Sequence, residues 1–238
     1  MRIASCIRSA ALASLTLGLA FVATPAQAQE AKDTPLFNGK DLTGWTIFIR
    51  HPEKGADPTR DPNGIFKVKD GVIHISGQHF GGITTEKEYE DYHLKLEFKW
   101  GDKKWPPREK AVRDSGILYH CVGPEKVWTK SVECQIQEHD CGDFYMVDGT
   151  SAVIAGKREP RYSKKLKDAE KPNGEWNSVE VICKGDTVKH IVNGVLVAEA
   201  TGLSLDKDGK VPLTKGKILL QSEGAEVFYR NITIKSLK

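Results

Sequence analysis

Ser131–Asp143 reads S-V-E-C-Q-I-Q-E-H-D-C-G-D, and its alternation decides the fold class. Val132, Cys134 and Ile136 fall on one side of an extended chain, and Glu133, Gln135 and Gln137 on the other. A strand patterned this way is half buried, with its polar row toward water or a cleft. Glu133, Gln135, Glu138, His139 and Asp140 crowd this row and the turn after it. Their side chains can move protons, hydrogen-bond a sugar or hold a metal. A solvated outer face is the competing reading, since charged residues are mostly exposed.

The same alternation runs outward along the chain. Tyr92, Leu94, Leu96, Phe98 and Trp100 alternate with His93, Lys95, Glu97 and Lys99, which predicts a long antiparallel strand with one wet face. Ser115–Cys121 and Trp176–Cys183 read as further strands. Asp70-Gly71 and Asn193-Gly194 sit between apolar-alternating runs and predict tight hairpins. No stretch beyond the first 28 residues has a helical period. A dozen or so short strands without helices predict an all-β fold, a jelly-roll sandwich of two antiparallel sheets. Residues 51–63, 101–114 and 156–174 read as long loops able to wall a groove.

Arg2 and Arg8, the apolar run Ala10–Ala23 and the small residues around Ala26-Gln27-Ala28 predict a signal peptide over 1–28. Cleavage after Ala28 leaves a linker, 29–35, and one domain, 36–238. The mature protein is then secreted or periplasmic, and no later run is long enough to span a membrane. Removing Arg2 and Arg8 from 35 basic residues leaves 33 against 32 acidic ones. That balance argues against a nucleic-acid partner. The basic runs Lys103–Lys110 and Lys157–Lys171 read as solvated loops. Cys121, Cys134, Cys141 and Cys183 remain after cleavage. Export permits disulfides, a Cys134–Cys141 bridge would pin the polar turn, and free buried thiols are the alternative.

The opening L-F-N-G-K-D-L-T-G-W, the strand D-S-G-I-L-Y-H, the central stretch, E-W-N at 175–177, the I-V-N-G-V hairpin and the closing Q-S-E-G-A-E-V-F-Y-R-N-I-T-I-K occur here in order. Together they resemble a family once defined only as a domain of unknown function (DUF1080) and now described as 3-keto-disaccharide hydrolases or 3-keto-glucal hydratases. The resemblance covers nearly all of Leu36–Leu237. It implies a concanavalin A-like jelly roll, a carbohydrate substrate oxidised at C3, and an upstream glycoside 3-oxidoreductase that makes it. A C3 ketone acidifies the C2 proton, so a base can eliminate the C1 substituent, and water can then add to the glucal.

In that chemistry Glu133 is the candidate base, with His120 and Glu138 as acid/base partners. Gly116 would leave room for a sugar ring. Gln135, Gln137, Arg113, Lys130, Trp128 and Tyr145 are candidate substrate contacts, and Trp105 is a further stacking candidate. His139, Asp140 and Asp143 form a possible divalent metal site. Two rival readings use the same stretch. Glu133-x-Gln135-x-x-Glu138 resembles the paired carboxylates of a retaining endo-glycosidase. A non-catalytic carbohydrate-binding module would need only the aromatics and amides.

Overall fold

A computed structural model describes residues 32–51 and 53–238. The segment read as a signal peptide and the start of the linker lie outside the described residues. The elements described are all strands. In chain order they are Thr34–Pro35 (β1), Trp45–Ile49 (β2), Phe66–Lys69 (β3), Val72–Ile75 (β4), Gly81–Thr85 (β5), Tyr89–Glu90 (β6), Tyr92–Lys104 (β7), Asp114–Val122 (β8) and Lys130–Gln137 (β9). They continue with Phe144–Val147 (β10), Ser151–Ile154 (β11), Lys157–Glu159 (β12), Tyr162–Ser163 (β13), Asn177–Lys184 (β14), Thr187–Val192 (β15), Val195–Ser204 (β16), Lys215–Ser222 (β17) and Ala225–Ser236 (β18).

Two antiparallel sheets result. One runs β12-β11-β16-β15-β14-β7-β18-β4-β3, with β1 beside β18. The other runs β13-β10-β9-β8-β17-β5-β2, with β6 against β17. The first sheet is centred on β7, whose Leu94, Leu96, Phe98 and Trp100 are buried while His93, Lys95, Glu97 and Lys99 are partly exposed. Those side chains meet Ile117, Tyr119, Val132, Cys134 and Ile136 of the second sheet in one apolar core. Burying each large side chain stabilises the sandwich by about 1.5–3 kcal/mol before entropy is counted. Asp70-Gly71 and Asn193-Gly194 take positive φ at both residues (51° and 76°, 49° and 79°), as the expected hairpin turns require.

Several details depart from the expectation. Thr34–Pro35, assigned to a linker, pairs with Ile234 and Thr233. The segment 156–174, read as a basic loop, contains β12 and β13, and Lys165 within it is buried. All four cysteines, Cys121, Cys134, Cys141 and Cys183, are buried free thiols, so the Cys134–Cys141 bridge does not form.

Candidate active site

Glu133 and Gln135 project from β9 on the face turned away from the core, as the alternation predicts, yet both are only 5% exposed. They face a cleft of about 350 Å³ rather than bulk water. Asp114 opens β8 beside them, paired across the ladder with Gln137. Glu223 follows directly after β17. Arg108 reaches in from the loop between β7 and β8.

These groups form one polar network. The Gln135 and Gln137 amides donate to the two Asp114 oxygens at 3.1 and 2.8 Å. Arg108 binds Asp114 at 2.5 Å and Glu223 at 3.5 Å. Glu133 stands apart. Its carboxylate lies over Gly116, where a Cβ would come within 1.9 Å of Oε1. The glycine therefore makes room for Glu133 itself, not for a sugar ring as the sequence suggested. The Gln221 Oε1 atom crowds the same space, 3.2 Å from that Cβ position. Both Gln221 Oε1 and Gln135 Oε1 are buried acceptors without a donor.

Burial pushes the Glu133 carboxyl well above the usual carboxylate range, and Glu223 and Asp114 push it further. No hydrogen bond offsets those effects. Burial likewise raises Glu223 to about 7, with Asp114 adding to the shift and Arg108 opposing it. Asp114 rises to about 6, again through burial, with Arg108 and Gln137 pulling it back. Asp114 and Glu223 share the Arg108 guanidinium and Glu133 has no cation partner, so the three acids cannot all ionise cheaply and protons stay in this cleft near neutral pH.

Two expected aromatics border the site. Tyr145 on β10 is the cross-strand partner of Glu133, and its ring packs on Tyr162 at 4.9 Å. Trp128 is 40% exposed and set edge-on to Phe80. Arg161 also lines the cleft. Trp105 is a packing residue, its indole N–H donating to the Ser76 carbonyl.

Other expected members are elsewhere. His120 does not face Glu133, because the β8–β9 register shifts between Tyr119 and Val122 and His120 takes a φ of 52°. This bulge breaks the alternation. It seals the imidazole between the rings of Tyr92 and Tyr119, fully buried and with neither nitrogen hydrogen-bonded. Desolvation lowers its pKa to about 4. Glu138 belongs to a separate depression with His139 and Asn173. It accepts the Arg113 backbone N–H at 3.0 Å and pairs with that guanidinium at 3.4 Å. Arg113 is thereby spent on a structural ion pair and on the Gly101 carbonyl. Glu133 and Glu138 line separate hollows. Lys130 donates to the Leu205 carbonyl, away from the cleft.

His139, Asp140 and Asp143 are not brought together as one donor set. Asp143 is fully buried, accepting from the Tyr162 hydroxyl at 2.6 Å and the Lys165 backbone N–H at 2.9 Å, with the Lys165 ammonium 3.7 Å away. His139 is exposed, with its backbone N–H given to Glu170. Among the described residues no three His, Cys, Asp or Glu side chains converge on a metal position.

Arg108, Asp114, Glu223 and Arg161 were missed as site residues. Asp114 and Glu223 did fall within quoted motifs, each bordering a glycine-containing strand end, which is the signal that could have found them. Arg108 was hidden in a charged loop.

The 3-keto-alpha-glucoside-1,2-lyase-like domain family matches residues 32–235 of the chain. A candidate glycosyl hydrolase from Parabacteroides distasonis is 26% identical, covering 87% of this chain and 94% of its own, with a TM-score of 0.60. A carbohydrate-binding module from Bacillus subtilis (13% identical, 81% of this chain and 96% of its own, TM-score 0.55) shares the fold. So does a β-glucanase from Bacillus licheniformis (15% identical, 89% and 100%, TM-score 0.51). No curated protein matches the chain.

Proposed function

Because the chain belongs to the 3-keto-alpha-glucoside-1,2-lyase-like family, we propose that it cleaves 3-keto-glycosides by β-elimination across C1–C2 and hydrates the resulting 2-hydroxy-3-keto-glucal. Carbohydrate processing is the coarser reading that family membership supports; the keto-sugar step is the finer one. The observation that carries it is Glu133, a carboxyl buried in a cleft, free of hydrogen-bond donors and pressed by two neighbouring acids.

Desolvation that makes Glu133 hard to ionise also makes its ionised form a stronger base. The ionised carboxylate takes the C2 proton, and the electron pair moves into the C2–C3 bond and onto the C3 oxygen. Arg161, a cation lining the same cleft, is assigned to that oxygen. The enolate collapses, C1=C2 forms, and the C1 substituent leaves with its bonding pair and a proton from Glu223. Hydration runs the geometry in reverse, with water adding at C1 and the Glu133 proton returning to C2. The sum is hydrolysis without oxidation or reduction. Arg108 and Asp114 hold Glu223 and the two glutamine amides in place.

The C3 ketone must be made first, so an upstream glycoside 3-oxidoreductase belongs to this reading. The segment at 1–28 supports export, and among the described residues no helix is long and apolar enough to cross a membrane.

The test is to incubate the protein with a 3-keto-glucoside and with its unoxidised parent, following free aglycone. Release from the keto sugar alone is expected. Release from the parent would favour ordinary glycoside hydrolysis, and binding without release from either would favour a sugar-binding module.

A further inference from the structure

We propose that the shelf formed by Phe48, Val127 and Trp128 is the leaving-group subsite of the groove, and that it takes a ring with an apolar face. This rests on the keto-sugar reading for its chemistry, though not for its geometry.

A depression of about 400 Å³ lies beside the cleft, lined by Phe48, Arg50, Lys126, Val127, Trp128 and Asp148. Trp128 lines both hollows, so they share a wall. The connection follows from the sheet. Phe48 on β2 pairs with Gly82 on β5, and Gly82 with Gln221 on β17. Gln221 reaches the space above Gly116 that Glu133 fills. Phe48 and Glu133 therefore share the outward face of one sheet, with β5 and β17 between β2 and β8. The Glu133 carboxylate lies over Gly116 on β8, three strand spacings from β2, so at about 4.8 Å per strand it stands roughly 14 Å from Phe48, the reach of a two-ring glycoside.

The chemistry of the shelf is apolar despite its charges. Lys126 is held by Asp148 at 2.8 Å. The Arg50 guanidinium is stacked over Phe80 at 4.7 Å and Trp128 at 5.4 Å. Phe80 meets Trp128 edge-on at 6.0 Å and fixes the indole. What is left for a ligand is the ring of Phe48 and the face of Trp128 that Arg50 does not cover. Such faces receive an aromatic ring or the apolar side of a sugar. The side on which the leaving group lies follows from Glu223. This acid lines the cleft together with Trp128, the residue that also walls the shelf. A C1 oxygen protonated by Glu223 leaves toward the shelf, while the C2 proton goes to Glu133.

The experiment compares four substrates in the unaltered protein and in Phe48→Ala. They are an aryl 3-keto-glucoside, a 3-keto-disaccharide, a methyl 3-keto-glucoside and the 2-hydroxy-3-keto-glucal, which has no leaving group. KM is expected to rise roughly fivefold to tenfold, the effect of losing one ring-stacking contact, for the aryl glucoside, the disaccharide or both. The methyl glucoside and the glucal are expected to be unchanged. The first two substrates separate an aryl from a sugar occupant. An equal loss on all four, or no loss on any, overturns the subsite. Phe48→Leu keeps the apolar volume and removes the ring, so the same selective loss is expected there if Phe48→Ala fails to fold. If no keto sugar is turned over by the unaltered protein, the catalytic reading has failed by itself. Calorimetry with unoxidised phenyl and methyl glucosides then decides the subsite. Phe48→Leu weakening phenyl glucoside alone supports it, and equal affinities overturn it.

Discussion

Burial and two neighbouring acids make the Glu133 carboxyl hard to ionise, which costs stability as well as supplying basicity. Its folded pKa is raised, so its proton is fully accommodated below about pH 4.5. The penalty grows as pH rises toward the folded value. Glu133→Gln needs no ionisation, and we expect it to melt higher than the unaltered protein at pH 8. The gain should shrink to nothing near pH 4, as read by thermal denaturation. Each kcal/mol relieved is worth roughly 2–4 °C in a domain this size. Activity on the keto sugar should vanish in the same variant. Gly116→Ala should act on chemistry through the same carboxylate, because its Cβ would meet Glu133 Oε1 at 1.9 Å. A shift of about 1 Å in a reacting group costs about 10²-fold, so kcat should fall by that order. Glu133 and Gln135 were legible because a period of two places them on one face. Glu223 and Arg108 were not, because they reach the cleft from distant segments whose local sequence says only turn and charged loop.

At the level of elements, the regular part of β8 carries the site and its far end stops alternating. Up to Tyr119 the strand follows its pattern, and the bulge then turns His120 inward. Cys121 joins Leu118, Val147 and Leu219 in a small apolar cluster outside the main core, with Tyr145 packed on it. An inserted residue leaves little trace in a run such as I-L-Y-H-C, so the phase of His120 could not be read from alternation. Hairpins were legible because turn chemistry is local. Gly194 holds a φ of 79° in the β15–β16 turn. Gly194→Ala should cost roughly 1–2 kcal/mol in urea denaturation and leave kcat alone, since this hairpin lies in the sheet without the cleft. Equal stability would mean that the turn relaxes.

Across the whole molecule, two sets of buried groups oppose each other as pH changes. Desolvation lowers His120 and His190 to about 4. Their stabilising contribution is complete above about pH 6.5 and is lost as pH falls toward 4. The cleft acids behave in the opposite sense, with Asp114 and Glu223 losing theirs as pH rises through about 6 and about 7. Both sets act over the same span, roughly pH 4 to 7, so in the unaltered protein their slopes offset one another there. Glu133→Gln combined with Glu223→Gln removes most of the falling set and should make stability rise more steeply with pH across that span. An unchanged slope would place the titrating groups elsewhere. The all-β sandwich was legible at this scale, since alternation recurs along most of the chain. The solvated-loop reading of the basic runs was not secure, since Arg108 and Lys165 find buried carboxylates that only the folded chain brings near. The decisive measurement is aglycone release from a 3-keto-glucoside carrying deuterium at C2, set beside the protonated substrate. Removal of that proton by Glu133 requires slower release from the deuterated sugar and none from either in Glu133→Gln. Equal rates with both isotopes, together with activity surviving in Glu133→Gln, would contradict the assignment of Glu133 as the base.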